Sequence, residues 1–260
     1  MRRILVSGAV ALAALGLGAV AIAAEGHIPL KHQHWHFTGP FGTYDRASAQ
    51  RGFQVYKEVC AACHSLSLLS YRNLTELGLT EAQVKGIAAE VQVPDIGDDG
   101  SAIERPARPS DRFKKPFAND LAAAAANGGK APPDLSVIVK AREGGADYIY
   151  SLLTGYVPND KLTPAQIKEF AVGKDDNFNL YFPGHRIAMP PPLSDDKVQY
   201  VDGTKATLDQ EVRDVVEFLA WALEPHLEAR NRTGIRVILF LLAFAGLMYG
   251  VKRQVWADKH

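Results

Sequence analysis

Cysteine occurs at two positions only, Cys60 and Cys63, and a histidine directly follows the second, so the chain carries one C-x-x-C-H run, Cys60-Ala61-Ala62-Cys63-His64. Two thiols this close can form thioethers with both vinyl groups of a single porphyrin, and the neighbouring imidazole reaches the iron as its proximal ligand. The run therefore reads as covalent attachment of one haem c, with His64 on one face of the iron. C-x-x-C alone also suits a thioredoxin-like redox pair, a structural disulfide or half of a zinc site. A tetrahedral zinc site needs four ligands. No second cysteine pair exists to complete it, which leaves only His32, His34 and His36 as conceivable helpers.

Both ends of the chain are apolar. Residues 1–24 begin with Arg2 and Arg3, continue through an apolar stretch and finish in small residues around Ala21-Ile22-Ala23. That order is the pattern of a secretory signal peptide cleaved near Ala23 or Ala24, with an uncleaved anchor as the alternative. Export agrees with the haem reading, because thioether attachment belongs to the oxidising bacterial periplasm. The second apolar segment, 235–251, is flanked by Arg230, Arg232 and Arg236 before it and by Lys252, Arg253 and Trp256 after it. At helical rise it is just long enough to cross a hydrocarbon core, so one C-terminal transmembrane helix is expected. With the signal peptide setting the orientation, residues 25–234 lie on the periplasmic side of a bacterial inner membrane and residues 252–260 form a cytoplasmic tail.

The intervening stretch is long enough for one large domain. The formal net charge of +0 conceals an asymmetry, because acidic residues outnumber basic ones between Ala24 and Gly234. Between 81 and 104, Glu81, Glu90, Asp95, Asp98, Asp99 and Glu104 face the single Lys85. Such a patch either steers a basic soluble partner or is a solvated loop.

Helices joined by loops rich in proline and glycine, without a convincing run of alternating strands, make the fold mainly α. Three Thr-x-x-Gln boxes, at Thr80/Gln83, Thr163/Gln166 and Thr207/Gln210, mark helix starts, with Pro164 at the first helical position of the second. From Leu208, the positions Val212, Val215, Val216, Leu219, Ala222 and Leu223 follow amphipathic helical spacing. Pro225 is expected to end or kink that helix, leaving a hinge over 224–234. Upstream of the haem motif, Gly52, Phe53, Val55, Tyr56 and Val59 mark a helix whose glycine allows close approach of a partner, expected to be the one carrying Phe218 and Trp221. Such packing of first and last helices resembles the fold of small c-type cytochromes, here with loop insertions.

The second axial ligand comes from a short list. Outside the signal region the methionines are Met189 and Met248, and the latter lies in the apolar segment. Met189, in Ile187-Ala188-Met189-Pro190-Pro191-Pro192, sits where prolines restrict the backbone. His185 is the competing ligand and would give a bis-imidazole haem of lower potential. A thioether favours ferrous iron and raises the potential.

Several separate runs occur in order along the chain: R-G-F-Q-V-Y-K-E-V-C-A-A-C-H, A-P-P-D-L-S, G-G-A-D-Y-I-Y-S-L-L-T-G-Y, F-N-L-Y-F-P-G and I-A-M-P-P-P-L. From about Arg51 to the C-terminal segment the chain resembles the cytochrome c1 family, the haem c subunit of the cytochrome bc1 complex. The resemblance implies thioethers at Cys60 and Cys63, proximal and distal iron ligands at His64 and Met189, and pairing of Arg142 with a haem propionate, a role that suits a guanidinium. It also implies that Pro132, Pro133 and Tyr148 line the haem pocket, and that an acidic surface such as 81–104 docks cytochrome c. The implied partners are cytochrome b, the Rieske iron-sulfur protein and soluble cytochrome c, in a dimeric ubiquinol:cytochrome c reductase complex. With both axial positions filled, the subunit is an electron carrier rather than a catalyst on its own. Two other readings remain: a membrane-anchored cytochrome serving a terminal oxidase, and a gas-binding or peroxidase haem, which requires an open iron site.

Overall fold

The computed structural model describes residues 28–259, so the signal peptide read over 1–24 lies outside the described residues. The core is organised around two crossing helices, α1 (Arg46–Glu58) and α6 (Leu208–Leu223). Asp45 caps α1, its side chain accepting from the backbone N–H groups of Ala47 and Ser48. The two helices approach backbone to backbone at Gly52, where a Cβ would overlap the Asp214 carbonyl and stand 2.7 Å from Phe218 Cβ. This is the close approach expected from the sequence, and Phe218 fills it. Its ring lies 5.6 Å from those of Phe53, Tyr56 and Trp221.

Between these helices the chain lays down short elements. A 3-10 segment, Tyr71–Leu77, ends at Gly78, whose φ of 92° is readily reached only by glycine, and packs against α2 (Glu81–Ala89). Further on come α3 (Asp120–Ala126), α4 (Gly145–Leu153) and α5 (Pro164–Glu169). The boxes at Thr80/Gln83 and Thr163/Gln166 form reciprocally. At Thr207 only half forms, since the Thr207 side chain accepts from Gln210 N–H while the Gln210 amide donates to Asp214 at 3.0 Å.

Two small antiparallel sheets add to the expected helices. β1 (Gln92–Ile96) pairs with β2 (Ala102–Pro106), Gln92 opposite Pro106. β4 (Asn177–Asn179) lies between β3 (Tyr156–Val157) and β5 (Arg186–Ile187). The first pair has no apolar face, Val93 being its one buried residue, and the strands of the second are too short for a period of two to register. The fold remains mainly α.

At the C-terminal end, α6 stops at Leu223 before Pro225, as expected, but the hinge is shorter than the sequence suggested. Helix α7 runs 29 residues from Leu227 to Val255, beginning well before the apolar segment. The residues after Pro225 contain nothing that breaks a helix, and the isolated Gly234 is tolerated. Helix α7 is long and apolar enough to cross a membrane, spanning roughly 44 Å at 1.5 Å per residue. Its first turn belongs to the globular domain: Leu227 is buried, and Glu228 accepts from Tyr44 N–H at 3.0 Å and pairs with Arg46 at 3.0 Å.

Candidate haem-attachment site

The motif begins where α1 ends. Cys60–Ala62 turn as a 3-10 helix, and the N–H groups of Cys63 and His64 both donate to the Cys60 carbonyl, at 3.1 and 2.8 Å. This turn presents both thiols, which are not bonded to one another; Cys63 is exposed and Cys60 partly so. Burial pushes the Cys60 thiol up to about 12, with the neighbouring Cys63 adding to the shift.

His64 is held from two sides. The Tyr56 hydroxyl donates to its carbonyl at 3.1 Å, and its ring Nδ1 donates to the Pro133 carbonyl at 2.8 Å. A carbonyl can only accept, so Nδ1 carries the proton and Nε2 is left with its lone pair. Desolvation lowers the pKa of the ring, against the Pro133 bond and the Asp134 charge, and so favours the neutral, ligand-competent form. Free thiols on one turn and an oriented neutral imidazole with an open Nε2 fit haem c attachment.

Asp134, which the sequence reading did not single out, ties two segments of this site together. Its carboxylate accepts from Ser65 Oγ at 2.7 Å, Ser67 N–H at 2.9 Å and Ser136 N–H at 2.8 Å. Burial opposes ionisation, but these donors outweigh it and hold the carboxyl far below its ordinary range. Asp134 belongs to the A-P-P-D-L-S run, and an acid between a proline turn and a serine was the available signal.

The remaining expected residues sit on three other segments. Pro132 is half-buried and Pro133 exposed beside His64. Arg142 is exposed just before α4, free of carboxylate partners among the described residues, and its charge reaches the half-buried Tyr148 six residues on, whose hydroxyl burial pushes upward. Met189 is half-buried beyond β5, and the Tyr156 hydroxyl of β3 donates to its carbonyl at 3.1 Å. Sequence reasoning missed Tyr156 and also Asn179. The buried Asn179 side chain donates to the Leu152 carbonyl at 2.7 Å and accepts from Tyr181 N–H at 3.0 Å and Phe182 N–H at 3.2 Å.

His185, the competing ligand, lies against two aromatic rings. Its ring stacks on Phe178 at 5.4 Å, meets Phe170 edge-on at 4.4 Å, and donates from Nδ1 to the Asn179 carbonyl at 3.1 Å. Its φ of 59° makes it the hinge of the turn between β4 and β5. The His32-to-His36 run also has a structural partner: the Asp147 carboxylate accepts from His32 Nδ1 at 2.8 Å, Gln33 N–H at 3.1 Å and Trp35 Nε1 at 2.7 Å. Among the described residues no group of three His, Cys, Asp or Glu side chains is arranged to hold a metal ion.

The acidic segment is less acidic in three dimensions than along the chain. Asp95 is paired with Arg105, which also binds Asp111, and Glu90 is paired with Lys57.

Comparison with known proteins places this arrangement. Residues 35–259 match the family model described as the Cytochrome C1 family. The chain is 48% identical over 271 residues to cytochrome c1 of Rhodospirillum rubrum, covering 100% of this chain and 98% of that protein. It is 46% identical over 275 residues to cytochrome b/c1 of Bradyrhizobium diazoefficiens, covering 96% of this chain and 39% of that longer protein. The mitochondrial cytochrome c1 heme protein of Saccharomyces cerevisiae is 45% identical over 236 residues, 90% of this chain and 74% of that one. Similarity of this extent, joined to an attachment turn that fits the cofactor, shows that the chain belongs to the cytochrome c1 family, membrane-anchored electron-transfer subunits of cytochrome bc1 complexes that carry covalently bound haem c.

Proposed function

We propose that this chain accepts one electron at a time from the Rieske iron-sulfur protein and passes it to soluble cytochrome c, within a dimeric ubiquinol:cytochrome c reductase. Cys60 and Cys63 would hold haem c as thioethers, and His64 and Met189 would hold its iron. When bound, haem c supplies reversible one-electron exchange. The observation that carries the reading is the His64 Nδ1 bond to the Pro133 carbonyl at 2.8 Å, which fixes the tautomer and leaves Nε2 with its lone pair.

The residues around it have defined tasks. Pro132, Pro133 and Tyr148 exclude water from the pocket, and Arg142, with no carboxylate of its own among the described residues, meets a propionate. Tyr156 holds the Met189 carbonyl and so limits the movement of the sulfur. Two protein ligands would leave no iron position for a substrate, and one-electron exchange requires no acid–base group. Residues 1–24 direct export, the domain over 25–234 works on the periplasmic side of the bacterial inner membrane, 235–251 cross it and 252–260 lie in the cytoplasm. The relative named cytochrome b/c1 supports a place beside cytochrome b.

Isolation from mildly solubilised membranes through a C-terminal tag, followed by addition of ubiquinol, tests the reading. Reduction of the haem in an assembly containing cytochrome b and a Rieske protein is expected. An intact assembly lacking both, with no reduction, would instead indicate a carrier serving a terminal oxidase. Met189→Leu is expected to lower the midpoint potential or give a high-spin haem; a low-spin haem at unchanged potential removes Met189 as ligand.

A further inference from the structure

Asp134 does more than tie Ser65 and Ser67 to Ser136: it carries its charge without a counter-ion. The residue is half-buried, and no Lys, Arg or His side chain stands within ion-pair distance of it among the described residues. The donors that reach it are all uncharged: Ser136 N–H on Oδ1, the Ser65 hydroxyl and Ser67 N–H on Oδ2. Both oxygens must therefore accept, and an amide in place of the carboxylate would turn a donor toward a donor. The buried acids of α6 are handled differently. Asp214 is matched by Arg51, while burial pushes Glu211 and Glu217 up toward the neutral form.

The position of this charge is fixed relative to the ligand histidine. Asp134 directly follows Pro133, whose carbonyl accepts from His64 Nδ1 at 2.8 Å, and its carboxylate holds Ser65, the residue after His64, at 2.7 Å. Two further bonds close the same seam, Leu135 N–H donating to the Ser65 carbonyl at 2.8 Å and Leu68 N–H to Ser136 Oγ at 3.1 Å. The charge cannot move away from the imidazole without breaking the seam. Oxidation of a haem adds one positive charge at the iron, and a fixed negative charge nearby favours that state, the more so where solvent screens it poorly. Firm hold of the Nδ1 proton makes the imidazole a more basic ligand, which acts in the same direction.

We propose that Asp134 is a positioning residue that sets the reduction potential of the haem, its unpaired charge lowering that potential while its hydrogen bonds keep the Pro133 carbonyl against His64. The inference rests on the reading that His64 ligates the haem iron, and it adds a group outside the ligand set that tunes the couple.

The test is redox potentiometry of the detergent-solubilised complex, followed in the visible absorbance of the haem. Asp134→Asn, which removes the charge, is expected to raise the ferrous-to-ferric ratio at a fixed applied potential roughly tenfold, equivalent to about 59 mV for one electron. Ser65→Ala removes one hydrogen bond to the same carboxylate and keeps its charge. It is expected to lower the melting temperature while shifting the potential much less. An equal rise in both variants would trace the effect to loosening of the turn and overturn the proposal, as would an unchanged potential in Asp134→Asn. Should Asp134→Asn not retain haem, Ser67→Lys takes its place, because the backbone N–H still serves Asp134 while the ammonium sets a counter-charge beside the carboxylate. A raised potential is expected there, and no rise overturns the proposal. A wild-type haem that is high-spin in both oxidation states would count instead against the assignment of His64 and Met189 as ligands.

Discussion

Single residues decide how closely this fold can pack. Gly52 is required because the Asp214 carbonyl and Phe218 Cβ occupy the space a side chain would need, and backbone cannot give way as a flexible side chain can. Gly52→Ala is expected to destabilise the haem domain by at least about 3 kcal/mol, read as a lower melting temperature in detergent. Glu217 is a different case. Burial lifts its carboxyl to about 7, helped by the charges of Asp45 and Asp214 and opposed by the Asp45 N–H bond at 2.9 Å. The folded state thus holds a proton that the unfolded chain releases near the ordinary carboxylate pKa of about 4. Stability is unaffected below that pH, falls as pH rises toward 7, and is lower above it by on the order of 3 kcal/mol. Glu217→Gln keeps the acceptor for the Asp45 N–H, so chemical denaturation at pH 5 and pH 8 should show a smaller difference between the two than in the wild-type chain. At this scale Gly52 and the residues of the C-x-x-C-H run were legible in the sequence. The three buried carboxylates of α6, Glu211, Asp214 and Glu217, were not. They are spaced as a polar stripe along an amphipathic helix, and only partners distant in sequence, Arg51, Asp45 and Val198, explain their burial.

Among the elements, helices announced themselves through their caps and strands did not announce themselves at all. A Thr-x-x-Gln box is a local signal, complete within four residues, and it located the starts of α2, α5 and α6. The β3–β4–β5 sheet has strands of two and three residues, and the side chain of Asn179 in β4 ties it to the segments around it. Asn179→Ala would leave the Leu152 carbonyl and the Tyr181 and Phe182 N–H groups without their partner, at roughly 1–3 kcal/mol for each buried orphan. The expected results are a lower melting temperature and a weaker Met189-to-iron charge-transfer absorption. His185→Gly provides the contrast. Glycine accepts the φ of 59°, and the lost ring had its Nδ1 on the Asn179 carbonyl. With Met189 as the distal ligand the haem is expected to stay low-spin, whereas conversion to high-spin would assign the ligand to His185.

In the whole molecule, the junction between domain and membrane segment is the feature that hydropathy alone misplaces. The first turn of α7 is part of the domain through Leu227 and Glu228. A chain ending after Gly234 is expected to remain in the aqueous phase on detergent partitioning and to keep its haem. One ending after Glu224 loses the contacts to Tyr44 and Arg46 and is expected to melt at lower temperature. Attachment chemistry, a long C-terminal apolar helix and the mainly α architecture were determined by the sequence, because each is written in neighbouring residues: a five-residue motif, an apolar run, a capping box. The tautomer of His64 and the engagement of His185 by Phe178 and Phe170 were decided by tertiary structure alone. Each depends on groups far apart in the chain meeting within a few ångströms, and pairing of that kind leaves no periodic trace in sequence.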